Sequence, residues 1–509
     1  MNVALNKENY EYDVRSLVQS FYPGQQAVIK TLEAFYQEAN QGRLDADANA
    51  NMDNSNICAT ADNIDLIIDI KEGGATVTYL LHKEDGNISQ ESLEMLGGSS
   101  DTKEFKSAFK RFLYGILKEQ TGKDLPWGAL IGIRPTKIAM DLLNKGLADE
   151  EILRTLKSRY LVSDEKSNLC LEIAKREKGI LDGLTPEKGI SLYIGIPFCP
   201  STCLYCSFTS YPITSYEKKG IVDQYLNALF HELEEVHELM QDYTVDTIYV
   251  GGGTPSSLSA EQIDALLSKV EELYDVAAVK EFTVEAGRAD SITREKLEVM
   301  KRHHVSRISV NPQTMKDETL KLIGRHHNSQ QVKDAFHMAR EVGFDNINMD
   351  LILGLPGETP EDVSFTMDEL AKLDPDNITV HSLAIKRASK LGEFIKENGY
   401  DVLNNTDETM RIASEGARSL GMHPYYLYRQ KNMSGNFENT GFAKEGKNGI
   451  YNILIMEEVQ TIVACGAGTV TKRVYGDGRI ERCDNVKDVM LYISKIDEMI
   501  DRKRQLFMD

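Results

Sequence analysis

Six short apolar runs, at residues 192–196, 247–250, 281–285, 307–310, 347–353 and 377–381, recur through the middle of the chain, with helix-patterned segments such as 221–240 and 260–273 between them. Strand, loop and helix repeated in this way predict an α/β fold of parallel βα units, because a parallel neighbour is reached only by a crossover. In such folds sites gather at the carboxyl ends of the strands. The chain obeys that rule five times. The first strand leads into Cys199-Pro-Ser-Thr-Cys203-Leu-Tyr205-Cys206, the second into Gly251-Gly252-Gly253-Thr254-Pro, and the third ends at Glu285. The fourth leads to Asn311-Pro-Gln313, and the fifth carries Asp350 ahead of Gly354-Leu-Pro-Gly357. The convergence marks one site at that end of the sheet.

Three of the seven cysteines fall within residues 199–206, on the loop that Pro197 opens. Thiolates from one short loop can converge on a single metal centre, either an iron–sulfur cluster or zinc. A closed zinc site takes four ligands, and the next cysteine, Cys465, is far down the chain. Three ligands leave an open corner, as a 4Fe-4S cluster needs if a substrate is to bind one iron directly. The plain alternative is a group of buried thiols. Three successive glycines let backbone approach a ligand closely, offering carbonyls and N–H groups to an ammonium and a carboxylate. A carboxylate at the Glu285 position is costly unless hydrogen-bonded, and ribose hydroxyls are natural partners. Gln313, Arg325 and Asp350 are read in the same way. The adjacent His326 and His327 point in different directions, which argues against a shared metal.

Residues 1–185 lack this alternation and are expected to form a separate α+β domain. Helices are predicted over 10–21, 25–38, 101–120, 149–160 and 163–181, a loop over 40–56, and a β-hairpin over 64–81. Trp127 is expected in the core, with Pro135 at the entry to a helix; alternatively Arg134 and Lys137 reach toward an anion. The core spans 190–385. The remainder, 386–509, forms a C-terminal α/β extension covering the substrate. It contains Tyr425-Tyr-Leu-Tyr428-Arg429-Gln-Lys431, suited to a flat, acidic, aromatic ligand. It also holds the small-residue turn Ala464-Cys465-Gly-Ala-Gly-Thr469-Val470 and a closing helix over 486–507. Cys465 and Cys483 read as buried thiols.

With 509 residues, two or three domains are expected. No apolar run approaches the roughly 18 residues of a membrane span, and Met1 to Asn9 lacks the pattern of a secretory signal, so a cytoplasmic location is expected. The odd, low cysteine count argues for reduced thiols. A net charge of −21 argues against a general grip on nucleic acid or an anionic membrane.

The Cys-x3-Cys-x2-Cys spacing with Tyr205 before the last cysteine resembles the signature of radical S-adenosyl-L-methionine (SAM) enzymes. The chain as a whole resembles the oxygen-independent coproporphyrinogen III oxidases (coproporphyrinogen dehydrogenases), nearest their HemZ-like branch. That resemblance implies a partial (β/α)6 TIM-type radical SAM barrel. It makes Cys199, Cys203 and Cys206 the ligands of a 4Fe-4S cluster, and Tyr193, Gly252 and Glu285 contacts to SAM on the open iron. Tyr205, Gly253, Thr254, Gln313, Arg325, Asp350, Ala384 and Val470 match positions that hold a second SAM or close the site. One departure is Phe208, where the best-known branch has a fourth cysteine.

The implied reaction is reduction of the cluster by a one-electron donor such as flavodoxin or ferredoxin, then reductive cleavage of SAM. The resulting 5′-deoxyadenosyl radical abstracts hydrogen from a propionate of coproporphyrinogen III, and loss of carbon dioxide and an electron leaves a vinyl group. Two rounds give protoporphyrinogen IX. Arg134, Arg429 and Lys431 are the candidates for pairing with propionates. Phe208 motivates one alternative, a haem- or porphyrin-binding chaperone; a further alternative is a radical SAM enzyme acting on haem or another tetrapyrrole.

Overall fold

The computed structural model describes residues 1–23, 27–34, 65–82, 88–132, 134–185, 188–208, 210–386, 388–430 and 436–508. The predicted loop at 40–56 and Lys431 lie outside them. The chain divides into two compact units. One is built from Met1–Ile133, Asn144–Leu171 and Gly435–Phe437, and the other from Arg134–Leu143, Glu172–Ser434 and Glu438–Asp509.

The first unit holds a five-stranded sheet ordered β2-β1-β3-β4-β5, with β1 at Asn2–Leu5, β2 at Val28–Thr31, β3 at Leu66–Lys71, β4 at Gly74–His82 and β5 at Ile88–Leu96. The β3–β4 hairpin is the one predicted, antiparallel from Leu66↔Tyr79 to Lys71↔Gly74. The helix predicted over 25–38 is corrected. Val28–Thr31 is a strand, because it pairs in parallel with β1, Asn2↔Val28 to Leu5↔Thr31, and that pairing outweighs local propensity. Helices Glu11–Phe21 and Lys103–Thr121 pack their buried stripes on the sheet, with Tyr10 edge-on to Phe109 at 5.2 Å. Trp127 is fully buried.

The second unit is organised by an eleven-stranded sheet. Six strands run parallel in sequence order: β6 (Gly189–Ile196), β9 (Thr244–Gly252), β10 (Glu281–Gly287), β11 (Arg307–Val310), β12 (Ile347–Leu353) and β13 (Asn377–Ser382). Between them, β7 (Phe198–Cys199) and β8 (Tyr211–Pro212) form a small separate pair. The six are the predicted strands. Helices return the chain after each crossover; in Ala260–Leu273, for example, Ile263, Leu266, Leu267 and Val270 make the buried stripe, and Ser259 and Gln262 cap each other.

Among the described residues the outermost parallel strands, β6 and β13, do not pair with each other. Strands from the C-terminal third pair onto both edges: β14 (His423–Tyr428) and β15 (Asn439–Ala443) extend from β13, and β16 (Thr461–Cys465), β17 (Val470–Val474) and β18 (Ile480–Asp484) extend from β6. The closing helix predicted over 486–507 is two helices, Val489–Ser494 and Ile496–Met508, because Lys495 leaves the helical conformation (φ −122°, ψ 27°). Among the described residues no helix is long and apolar enough to cross a membrane.

Candidate active site

The cysteine loop is fixed at both ends. Tyr211 N–H donates to the Pro197 carbonyl at 2.8 Å and the β7–β8 pair zips the base. Within the loop Leu204 N–H donates to the Ile323 carbonyl at 3.0 Å. Arg288 anchors the middle. Its Nη1 donates to the Ser201 carbonyl (3.2 Å) and hydroxyl (2.8 Å) and lies 3.7 Å from the Cys203 sulfur. Asp290 pairs with Arg288 at 2.6 Å, and His327 Nδ1 lies 3.5 Å from the same carboxylate. Burial alone would raise the Asp290 carboxyl, but His327 and Arg288 outweigh it and hold it well below the ordinary range. A positive charge is thereby seated behind the thiols, where it favours thiolate. Burial pushes the Cys199 and Cys206 thiols up, so taking a metal there displaces protons.

The glycine loop is stitched to the cysteine loop. Gly253 N–H donates to the Ile196 carbonyl at 2.8 Å and Thr254 N–H to the Phe198 carbonyl at 2.7 Å, while the Thr254 hydroxyl lies 3.4 Å from the Cys199 sulfur. A Cβ on Gly253 would stand 2.5 Å from the Phe198 carbonyl oxygen and 3.0 Å from that sulfur, so only glycine fits. Arg325 donates to the Asn311 carbonyl at 2.8 Å and to the Tyr205 hydroxyl at 3.0 Å. Gln313 sits at φ +67°, locked by Gln313 N–H to the Asp350 carbonyl and Ile352 N–H to the Gln313 carbonyl. Its buried Oε1 and the Arg325 Nε have no protein partner. The left-handed Gln313 therefore holds out an amide oxygen that a ligand's donor can fill.

Two cavities adjoin here. The smaller, about 320 Å³, is walled by the three cysteines, Tyr205, Thr254, Gln313, Arg325 and Ala384, and the larger, about 680 Å³, by Tyr193, Tyr249, Tyr426, Tyr451, Thr469 and Val470. They share Ser207, Phe208, Gly252, Gly253, Glu285, Asp350, His381 and Tyr428. Tyr193, Tyr249 and Tyr451 stack with ring centres 4.4 to 6.0 Å apart. Burial lifts the Glu285 carboxyl to about 7, against a lowering pull from the Tyr249 hydroxyl. At Asp350 burial acts the same way but is outweighed by His381 at 3.8 Å and the Asn348 amide at 2.7 Å, which keep it below the ordinary carboxylate value.

The three cysteines and all eleven predicted SAM-site residues therefore meet on the walls of two adjoining cavities. Arg134 is not brought there. It pairs with Glu458 at 2.7 Å and donates to the Met456 carbonyl at 3.2 Å, a structural contact within the second unit. Arg429 is buried and lines neither cavity. Cys465 and Cys483 are buried free thiols, as expected. Unforeseen from the sequence were Arg288, Asp290 and His327 behind Cys203, Tyr249 on Glu285, and His381 on Asp350. The spacing of Tyr249 two residues before Gly251, on one strand face, was the available signal. Among the described residues no group of three or more His, Cys, Asp or Glu is placed to hold a single metal ion. The three thiols border an open cavity, with backbone laid tight against them at Gly253, and that fits a larger cluster left open on one side.

The chain is similar to known proteins in sequence and in structure. The radical SAM superfamily model matches residues 193–370. The oxygen-independent coproporphyrinogen-III oxidase-like protein HemZ of Bacillus subtilis (strain 168) is 41% identical over 408 residues, covering 79% of this chain and 81% of the relative. Heme chaperone HemW of the same organism is 32% identical over 311 residues, covering 60% and 76%. The solved structure of Escherichia coli coproporphyrinogen III oxidase, titled a radical SAM enzyme, aligns over 64% of this chain and 72% of that one, at 22% identity and a TM-score of 0.49.

Proposed function

This chain belongs to the radical SAM family of oxygen-independent coproporphyrinogen III oxidase-like proteins, and from that membership we propose that it decarboxylates two propionates of coproporphyrinogen III to vinyl groups without oxygen. The observation that carries the reading is the shared wall of the two cavities. A pocket bordered by thiols opens, across Gly252, Gly253, Glu285 and Asp350, into a larger tyrosine-lined space.

The family's cofactors, a 4Fe-4S cluster and SAM, supply hydrogen-atom abstraction from an unactivated carbon. Cys199, Cys203 and Cys206 would hold the cluster. Arg288 keeps the Cys203 end of the loop in place and adds positive charge beside it. The Gly251–Gly253 backbone and Glu285 suit an amino acid head and ribose hydroxyls, and Asp350, held ionised by His381 and Asn348, accepts further donors. The stacked tyrosines exclude water from that wall. In each round the substrate would give up one hydrogen atom to the SAM-derived adenosyl group, release carbon dioxide and pass one electron to an external one-electron acceptor.

A second reading, haem binding in the manner that the name of the HemW relative suggests, rests on Phe208. This residue is 69% exposed and lines both cavities, so it is available to the face of a flat ligand. The test is anaerobic incubation of cluster-loaded protein with SAM, a strong reductant and coproporphyrinogen III. Stepwise loss of two carboxyl groups, abolished by Cys203→Ala, supports decarboxylation. SAM cleavage with unchanged porphyrin overturns it, and tight stoichiometric haem binding then selects the second reading.

A further inference from the structure

A buried ion pair far down the chain is built around the edge of the large cavity. Lys503, on helix Ile496–Met508, donates to Glu232 Oε1 at 2.6 Å, with both side chains at most 1% exposed. The carboxylate is fully used. Oε1 also accepts from the Asn485 amide at 2.7 Å, and Oε2 accepts from the Tyr492 hydroxyl at 2.6 Å and from Gly466 N–H at 2.7 Å.

Gly466 begins the turn between β16 and β17, whose residues Ala467, Gly468, Thr469 and Val470 line the cavity. Asn485 holds the turn a second time, through its amide to the Gly466 carbonyl (2.9 Å) and its N–H to the Thr469 carbonyl. Tyr225 completes the frame, accepting from Ala467 N–H and donating to the Gly195 carbonyl at 2.6 Å. The fit is close: a Cβ on Gly466 would stand 2.5 Å from the Gly195 oxygen. Apolar residues can replace a buried ion pair with no loss of stability, so stability alone does not require two charges here. The turn they fix has small side chains and presents backbone to whatever occupies the cavity.

We propose that Glu232 and Lys503 are positioning residues that clamp the 466–469 turn as one wall for the adenosine half of SAM. This rests on the radical SAM reading above. The test uses full-length, cluster-loaded protein carrying Lys503→Met, Tyr492→Phe, or the charge-neutral pair Glu232→Gln with Lys503→Met. Iron content, melting temperature, SAM dissociation constant and hydrogen exchange at 466–470 are measured for each.

Retained iron, a SAM dissociation constant raised at least tenfold and faster exchange confined to the turn are expected for Lys503→Met. Tyr492→Phe should show a smaller shift. The neutral pair should regain melting temperature but not affinity, since one amide oxygen cannot accept from all three donors that remain, the Asn485 amide, the Tyr492 hydroxyl and Gly466 N–H. Restoration of affinity together with melting temperature would make the network purely structural and overturn the proposal, as would affinities within twofold of wild type. If Lys503→Met does not fold, the neutral pair and Tyr492→Phe decide. Wild-type protein that holds iron but binds no SAM removes the functional reading itself, and unchanged exchange at the turn then removes the clamp as well.

Discussion

The Tyr249 hydroxyl donates to Glu285 Oε1 at 2.5 Å, across neighbouring strands at the point where the two cavities join. Burial is the larger influence on Glu285 and lifts its carboxyl from 4.5 to about 7, while the tyrosine pulls down. The ionised form is the better acceptor for ribose hydroxyls. SAM affinity should therefore rise as pH climbs through about 7, and Glu285→Gln should weaken binding and flatten that profile. Tyr249→Phe removes a lowering influence, so the midpoint moves up. One unit, about 1.4 kcal/mol, would cost up to about tenfold in affinity at neutral pH. Stability has the opposite sign. A raised carboxyl makes the folded state hold the extra proton, so its contribution is lost between pH 4.5 and about 7. Equilibrium dialysis and thermal melts across this range check both, and a profile unchanged in Glu285→Gln would assign the titration to another group.

Cluster loading should depend on the loop thiols and not on the distant ones. Cys203→Ala removes the sulfur that Arg288 faces and should abolish iron retention. Cys465→Ala, in a fully buried strand, should keep it. Iron content per chain and the visible absorption of the reconstituted protein separate the two.

Gly253→Ala should be as damaging as loss of a ligand. The new methyl group would meet the Phe198 carbonyl oxygen at 2.5 Å, closer than real contacts reach, and crowd the Cys199 sulfur at 3.0 Å, forcing the two loops apart. Lower iron retention and lost SAM binding, in a protein whose melting temperature falls by only a few degrees, are expected from parallel assays.

The parallel strands were legible because strands buried on both faces are largely apolar runs, as in Gly189–Ile196. The motif residues followed, since each lies at a strand end. Val28–Thr31 was not legible, because an edge strand with a half-exposed face takes its conformation from its partner β1. Arg288, Asp290 and His381 were missed for a different reason. Each matters through a partner on another segment, Cys203, His327 or Asp350, and sequence spacing carries no cross-strand register.

Arg134 shows the converse, a basic residue in a Gly/Pro-rich stretch whose charge is already taken. Arg134→Ala leaves the largely buried Glu458 with Lys472 and Arg482 as remaining partners. A stability loss of about 1 kcal/mol is expected, with no change in tetrapyrrole affinity. Denaturant melts and a porphyrin-binding titration check this, and a selective loss of affinity would return Arg134 to the site.

Phe208 discriminates between the two functional readings because its ring is exposed while its backbone belongs to the cysteine loop. Lys386 Nζ stands 5.8 Å from the ring centre, and both residues line the smaller cavity. The pair offers an aromatic face and a cation to a flat carboxylate. Phe208→Ala should retain full iron and SAM cleavage while weakening tetrapyrrole binding by about two- to tenfold, the range expected for one aromatic contact of about 0.5–1.5 kcal/mol. Phe208→Cys should not increase iron content if the three loop thiols alone hold the cluster, as proposed. If Phe208→Ala instead abolishes cluster loading, the ring is packing the loop rather than meeting a ligand. If it leaves coproporphyrinogen turnover intact but removes haem binding, the haem interaction is separable from catalysis at this one side chain.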